Sequence, residues 1–150
     1  MIHDLIESSG RVINLSSATQ APVDPEALAG RRKLPDGTAS AQSKLALTMW
    51  SPSMALLLGD DGPVVIAVNP GSMLGSKMVK EADGMAGGDL RIGAEILVRA
   101  ALSDEFANAS DRYFDNDIGQ FAWPHPDALN PQKYEAIVRV IEALLAGLIQ

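Results

Sequence analysis

Apolar residues along the chain fall into two kinds of run: short continuous stretches rich in β-branched side chains, and longer ones that recur every three or four positions. Val64-Val-Ile-Ala-Val68 is the clearest of the first kind and Arg11-Val-Ile-Asn-Leu15 is another. Both alternate little, which predicts strands covered on both faces, as in a parallel sheet. Arg112-Tyr-Phe114 predicts a short third strand. Of the second kind, Ser40 to Leu58 carries Leu45, Leu47, Met49, Trp50, Met54, Leu57 and Leu58, a helix with broad apolar coverage. Pro52 inside it predicts a kink or a break near Thr48 to Trp50. Asp89 is placed to cap a helix over 90–102, and Asn130-Pro131 opens one whose stripe is Tyr134, Ile137, Val138, Ile141, Leu144, Leu145 and Leu148. Ile2, Leu5 and Ile6 ahead of Ser8-Ser9-Gly10 read as the last turns of a further helix.

The intervening stretches are polar. Ala21 to Thr38 contains three prolines and the triplet Arg31-Arg32-Lys33, and reads as a solvated loop whose basic residues could otherwise touch a phosphate. Lys77 to Gly88 is rich in glycine and methionine and predicts a mobile flap with a short helix, while 115–127 predicts a polar loop. Strand and helix thus alternate. The expected class is α/β: a parallel sheet of about three strands with flanking helices, joined by right-handed crossovers, in one domain over 1–150. Three strands leave Arg11–Leu15 with an unpaired apolar edge, which predicts a second copy or a partner chain to cover it.

Composition narrows the function classes. Twelve basic against nineteen acidic residues give a net charge of −7, and only 5% of residues are aromatic, which argues against nucleic acid as a partner. The absence of cysteine excludes disulfides and thiolate metal sites and fits a reducing compartment. No basic, apolar leader is evident and no apolar run reaches the roughly 20 residues of a membrane span, so the expectation is a cytoplasmic protein without membrane contact. Asp115, Asp117 and His125 could in principle approach a metal, but an exposed polar loop accounts for them and no metal site is expected.

Gly10-Arg-Val-Ile-Asn-Leu-Ser-Ser17, then Ala41-Gln-Ser-Lys44-Leu-Ala46, then Val68-Asn-Pro-Gly71, with Arg112-Tyr-Phe-Asp-Asn116 behind them, resemble the C-terminal half of a short-chain dehydrogenase/reductase. The resemblance implies an incomplete Rossmann-like sheet and descent from NAD- or NADP-dependent oxidoreductases acting on carbonyl and alcohol groups. It implies that Ser17 orients the substrate and that Lys44 holds the nicotinamide ribose and tunes a catalytic tyrosine four residues earlier. It also implies that Pro70, Gly71, Ser72 and Met73 lie against the nicotinamide. In the family the helix bearing the lysine commonly forms a dimer interface, which again implies a homo-oligomer.

Two departures change what is expected of this chain. The tyrosine position is Ser40, whose aliphatic hydroxyl is a far weaker acid than a phenol and a whole ring shorter. The glycine-rich turn that cradles a dinucleotide pyrophosphate has no counterpart, since Gly84-Met-Ala-Gly-Gly88 follows no strand. Ser40 and Lys44 also face each other at helical spacing as a nucleophilic pair would, without any acyl-transfer motif beside them. The expectation is therefore an oxidoreductase by descent, truncated and catalytically impaired, whose NAD(P) binding by this chain alone is doubtful. Its alternative is a non-catalytic interaction or oligomerisation module.

Overall fold

Strand β2 (Val64–Asn69) is buried along all but its first residue, because it has a strand on either side and a helix over each face. The structure, a computed structural model, describes residues 10–72, 74–75, 81, 84 and 86–148. Chain order is β1 (Arg11–Leu15), α1 (Pro25–Leu28), α2 (Asp36–Leu58), β2, α3 (Leu90–Leu102), β3 (Arg112–Asp115), β4 (Gln120–Ala122) and α4 (Pro131–Leu148). Short 3-10 turns cover Asp104–Phe106 and Pro126–Leu129. The sheet order is β1-β2-β3-β4, with the first three strands parallel and β4 antiparallel to β3. The protein is thus α/β with an open, mostly parallel sheet.

Four strands replace the three expected. Gln120–Ala122 pairs back on β3 across a four-residue turn containing Gly119 at φ 68, a conformation that glycine adopts without penalty. A three-residue strand is too short to show a period of two, which is why the sequence reads as loop there. Strand β1 is the edge of the described sheet and only half-buried, less deeply than expected, although Ile13 packs toward the α3 side and Asn14 bonds to Ser51 of α2 on the other. The supposed loop over 21–38 contains α1 and the first turn of α2. Asp24 caps α1 by accepting from the amides of Glu26 and Ala27. Arg31 and Arg32 are engaged by Glu26 and Asp24, so neither is left for a phosphate. The helix read from Ile2, Leu5 and Ile6, and most of the flap over 77–88, lie outside the described residues.

Two layers of apolar packing result. On one face of the sheet, Ile66, Val68 and Phe114 meet Ile96 and Ala100 of α3 together with Phe106. All three phenylalanines of the chain join here, with ring centroids 5.1 to 5.2 Å apart. On the other side, Leu45, Ala46 and Met49 of α2 pack against Ile137 of α4 and Ala128. Helix α2 is therefore sandwiched between the sheet and α4. It is unbroken through Pro52, contrary to the expected break; Ser51 and Thr48 donate their hydroxyls to the carbonyls of Leu47 and Lys44 one turn back.

The contact between α2 and β1 is polar. Asn14 donates to Ser51 Oγ at 2.9 Å, the Ser16 hydroxyl meets Thr48 Oγ1 at 2.6 Å, and Lys44 Nζ donates to the Leu15 carbonyl at 2.8 Å. Residues 44, 48 and 51 share one helix face, so successive turns are pinned to Asn14 and Leu15 of β1 and to Ser16 just beyond it. Hydrogen bonds are directional where apolar contact is not, and this seam fixes the height of Lys44 relative to the end of β1.

Candidate functional site

The parallel strands end on one side of the sheet, and four segments converge there: 16–20 after β1, Lys44 of α2, 69–72 at and after β2, and 113–117 of β3. Such a crevice beyond the carboxyl ends is where open α/β sheets place ligands.

Ser16 is buried, and its hydroxyl is held by Thr48 and by Gln20 Nε2 at 3.3 Å. Ser17, next along, is half-buried and turned out of the seam; its Oγ accepts from the amide of Thr19 at 3.0 Å. The Ser17 carbonyl accepts from Gln20 Nε2 at 2.7 Å and from the Tyr113 hydroxyl at 3.2 Å. Lys44 reaches the same strand end through Leu15. The structure thus brings Ser17 and Lys44 to one place. Ser40 lies one turn before Lys44 with an exposed side chain, and its carbonyl accepts from Ser43 Oγ at 2.7 Å. Helix α2 begins at Asp36, so Lys44 sits in the third turn rather than the first.

After β2 the chain turns through Pro70 and Gly71, the latter at φ 131, where a side chain would be strained. Asn69 at the strand end is buried and fully used. Its amide donates to Asp115 Oδ1 at 2.8 Å and Asp117 Oδ2 at 2.9 Å, while its carbonyl oxygen accepts from the Gly71 amide at 3.2 Å. Asp117 in turn accepts from the Ser72 amide at 2.7 Å and the Ser72 hydroxyl at 2.5 Å, and Asn116 donates to the Pro70 carbonyl. Desolvation pushes the Asp117 carboxyl up, but the donors from Ser72 and Asn69 together outweigh it and hold it below the usual range. Asp115 and Asp117 clamp this turn. Met73 lies outside the described residues.

Tyr113 is the one phenol at the crevice, and it cannot stand in for the missing one. Burial first, then the carboxylates of Asp115 and Asp117, push its pKa up to about 12, with the Gln20 amide opposing them. A general acid/base needs its pKa moved toward neutrality, and this one moves away. The stability gained by keeping the phenol neutral is whole below its ordinary value of 10.0 and is lost as pH rises through about 12. Absorbance titration at alkaline pH should show one of the two tyrosines ionising near 12, ahead of or together with unfolding. Ionisation of Tyr113 at its ordinary value of 10.0 would contradict it.

No protein-family model and no curated protein matches this chain.

Three features bear on the nicotinamide contacts that the family resemblance implies. Lys44 keeps two of its three donor positions beyond the bond to Leu15, and could meet a ribose. The Ser72 amide, the donor a carboxamide would need, is already taken by the Asp117 carboxylate. Among the described residues no strand passes through closely spaced glycines directly into a helix N-terminus, which is what a pyrophosphate requires.

Three elements of the site were scarcely legible in the sequence. The partners Asn14, Thr48 and Ser51 of the polar seam were signalled only by Thr48 and Ser51 falling four and seven residues after Lys44. Gln20 carried no signal. The link from Asn69 to Asp115 and Asp117 was hidden because its partners lie 46 and 48 residues apart in sequence.

Proposed function

We propose that this chain carries the substrate-facing half of a Rossmann-like, short-chain dehydrogenase/reductase-type oxidoreductase whose proton-relay phenol has been replaced by Ser40. The supporting observation is the anchoring of Lys44 Nζ at 2.8 Å from the Leu15 carbonyl, beside Ser17 and one turn after Ser40. A substrate-orienting hydroxyl and an ammonium group are retained at the strand ends. The group that should exchange a proton with the substrate oxygen is a short, weakly acidic alcohol. On this reading the chain does not reduce carbonyls by itself.

Restoration tests this. The Ser40→Tyr variant and the unaltered chain are each mixed with the cofactor-binding half of a short-chain dehydrogenase, and oxidation of simple secondary alcohols is followed by NADH or NADPH absorbance. General acid/base catalysis contributes about 10²–10⁴-fold, so the complemented variant should exceed the complemented unaltered chain by that order. Turnover by the unaltered chain alone would overturn the proposal.

A second reading, an interaction module, draws on the placement of β1 at the sheet edge and on α3. Apolar residues occupy most of the circumference of α3, yet only Gly93, Ile96 and Ala100 are buried, leaving Leu90, Val98 and Leu102 exposed. Light scattering separates the readings, since the module reading requires a dimer or larger assembly at micromolar concentration.

A further inference from the structure

The opposite end of the sheet holds two open clefts that share one residue. The first, about 410 Å³, is lined by Arg112, Phe121, Trp123 and Leu129 among others; the second, about 390 Å³, by Pro52, Leu56, Asp60 and Val64 among others. Asp111 lines both. It precedes β3 at φ 63, the only described residue other than glycine in the left-handed region. Its amide is fixed to the Val65 carbonyl at 2.9 Å, which holds the backbone in place and aims the side chain at the junction.

The chemistry of the junction is acidic on balance. The charged groups lining the second cleft are the carboxylates of Asp60 and Asp111, with no cation among them. The first also carries Arg112, whose guanidinium lies over the Phe121 ring at 3.8 Å and keeps its charge, so a cationic partner is drawn to the Asp60 side of Asp111. The carboxyl of Asp111 is shifted upward by partial desolvation, and no cation opposes it. The rims are apolar: Leu56 is 83% exposed and Trp123 84%. An exposed carboxylate between two apolar lips suits a cationic side chain flanked by apolar ones, because each part of such a segment covers a surface left open here.

We propose that this double cleft is a docking site for a partner polypeptide that presents a lysine or arginine to Asp111, with neighbouring apolar residues against Trp123 and Leu56. Asp111 precedes β3 and so lies at the far end of the strands from Ser17 and Lys44; Tyr113, which lines the first cleft, is the one residue that also reaches that crevice, and the proposal does not use it. The indole ring offers the cation a second contact across its face.

The test uses the full chain, labelled with ¹⁵N, and two capped peptides, Leu-Ala-Arg-Ala-Leu and Leu-Ala-Glu-Ala-Leu, at low salt. The arginine peptide should shift the Trp123 indole signal saturably, and the glutamate peptide should not. Asp111→Asn keeps a side chain that tolerates the left-handed backbone, and it should weaken binding roughly tenfold, about 1.4 kcal/mol. Trp123→Ala should weaken it too. Asp36→Asn, at the start of α2 and hence the other end of the sheet, should leave it unchanged. Equal binding of both peptides, or equal loss in Asp111→Asn and Asp36→Asn, would overturn the proposal in favour of general charge attraction. Equal affinity for argininamide alone would overturn it in favour of a small-cation pocket. Self-association of the unaltered chain that Trp123→Ala abolishes would overturn it in favour of a second copy.

Discussion

Replacing Phe106 by alanine is expected to destabilise the fold by about 3–5 kcal/mol. Its ring is fully buried and sits 5.1 Å from Phe114 and 5.2 Å from Phe121, centroid to centroid. Deletion therefore removes apolar burial and two aromatic contacts at once, and leaves a void whose lining cannot collapse, because Phe114 is held in the sheet by its pairing with Val68 and Phe121. Phe106 also ties the end of α3 to the sheet through the turn Asp104–Phe106. Total stability of a domain is only about 5–15 kcal/mol, so the variant should lose a large part of it. Urea unfolding would show this as a lower midpoint at similar slope; a loss under about 1 kcal/mol would mean that the cluster is not the core.

Asn69→Leu is the second large effect. The substitution keeps the approximate size and removes both donors from Asp115 and Asp117 and the acceptor from Gly71. Hydrogen bonds to charged groups contribute about 1.5–3 kcal/mol, and here the exposed carboxylates can partly rehydrate, so a loss of about 2–3 kcal/mol near neutral pH is expected. The pH dependence has a definite sign. A carboxyl held below its ordinary value of 3.8, as Asp117 is, adds stability that is present above that value and is lost as pH falls through the folded-state value. In Asn69→Leu that acid-dependent part shrinks, because only the Ser72 donors remain. Urea midpoints measured between acid and neutral pH should therefore lie closest together at the acid end. A constant gap at every pH would mean that the carboxamide does not hold Asp117.

Much of the architecture was legible in the sequence because it is written in local patterns. Val64–Asn69 shows as a continuous β-branched run, 90–102 opens at Asp89, which does cap α3 by accepting from the Arg91 amide, and Arg112-Tyr-Phe114 marks β3. What was illegible is what local pattern does not carry. Strand β4 is too short to alternate. The start of α2 at Asp36 lies in a stretch of small and polar residues with no apolar stripe to announce it. The apolar stripe of α4 suggested burial along its length, yet only Ile137 and Val138 are buried and Leu148 is 81% exposed, since the helix runs past the body it packs on. At the crevice, Ser17 and Lys44 were singled out by the family resemblance, and the structure places both at the carboxyl end of β1. The polar seam that sets their relative height, and the carboxamide that locks 69–72 to 115–117, arise from tertiary contacts between residues far apart in sequence.

The order of the strands also says something about assembly in time. Residues paired across β1 and β2, such as Arg11 and Val64, are separated by roughly fifty residues of chain, and those across β2 and β3 by nearly as many. Only β3 and β4 close locally, with Phe114 opposite Phe121. Among the described strands, β1 meets its partner β2 only after all of α2 has been made, whereas β3 and β4 can pair as soon as their short turn is complete. The pairing that closes fastest is thus the one nearest the end of this segment, and the β1–β2 ladder waits on the folding of the helix between its strands.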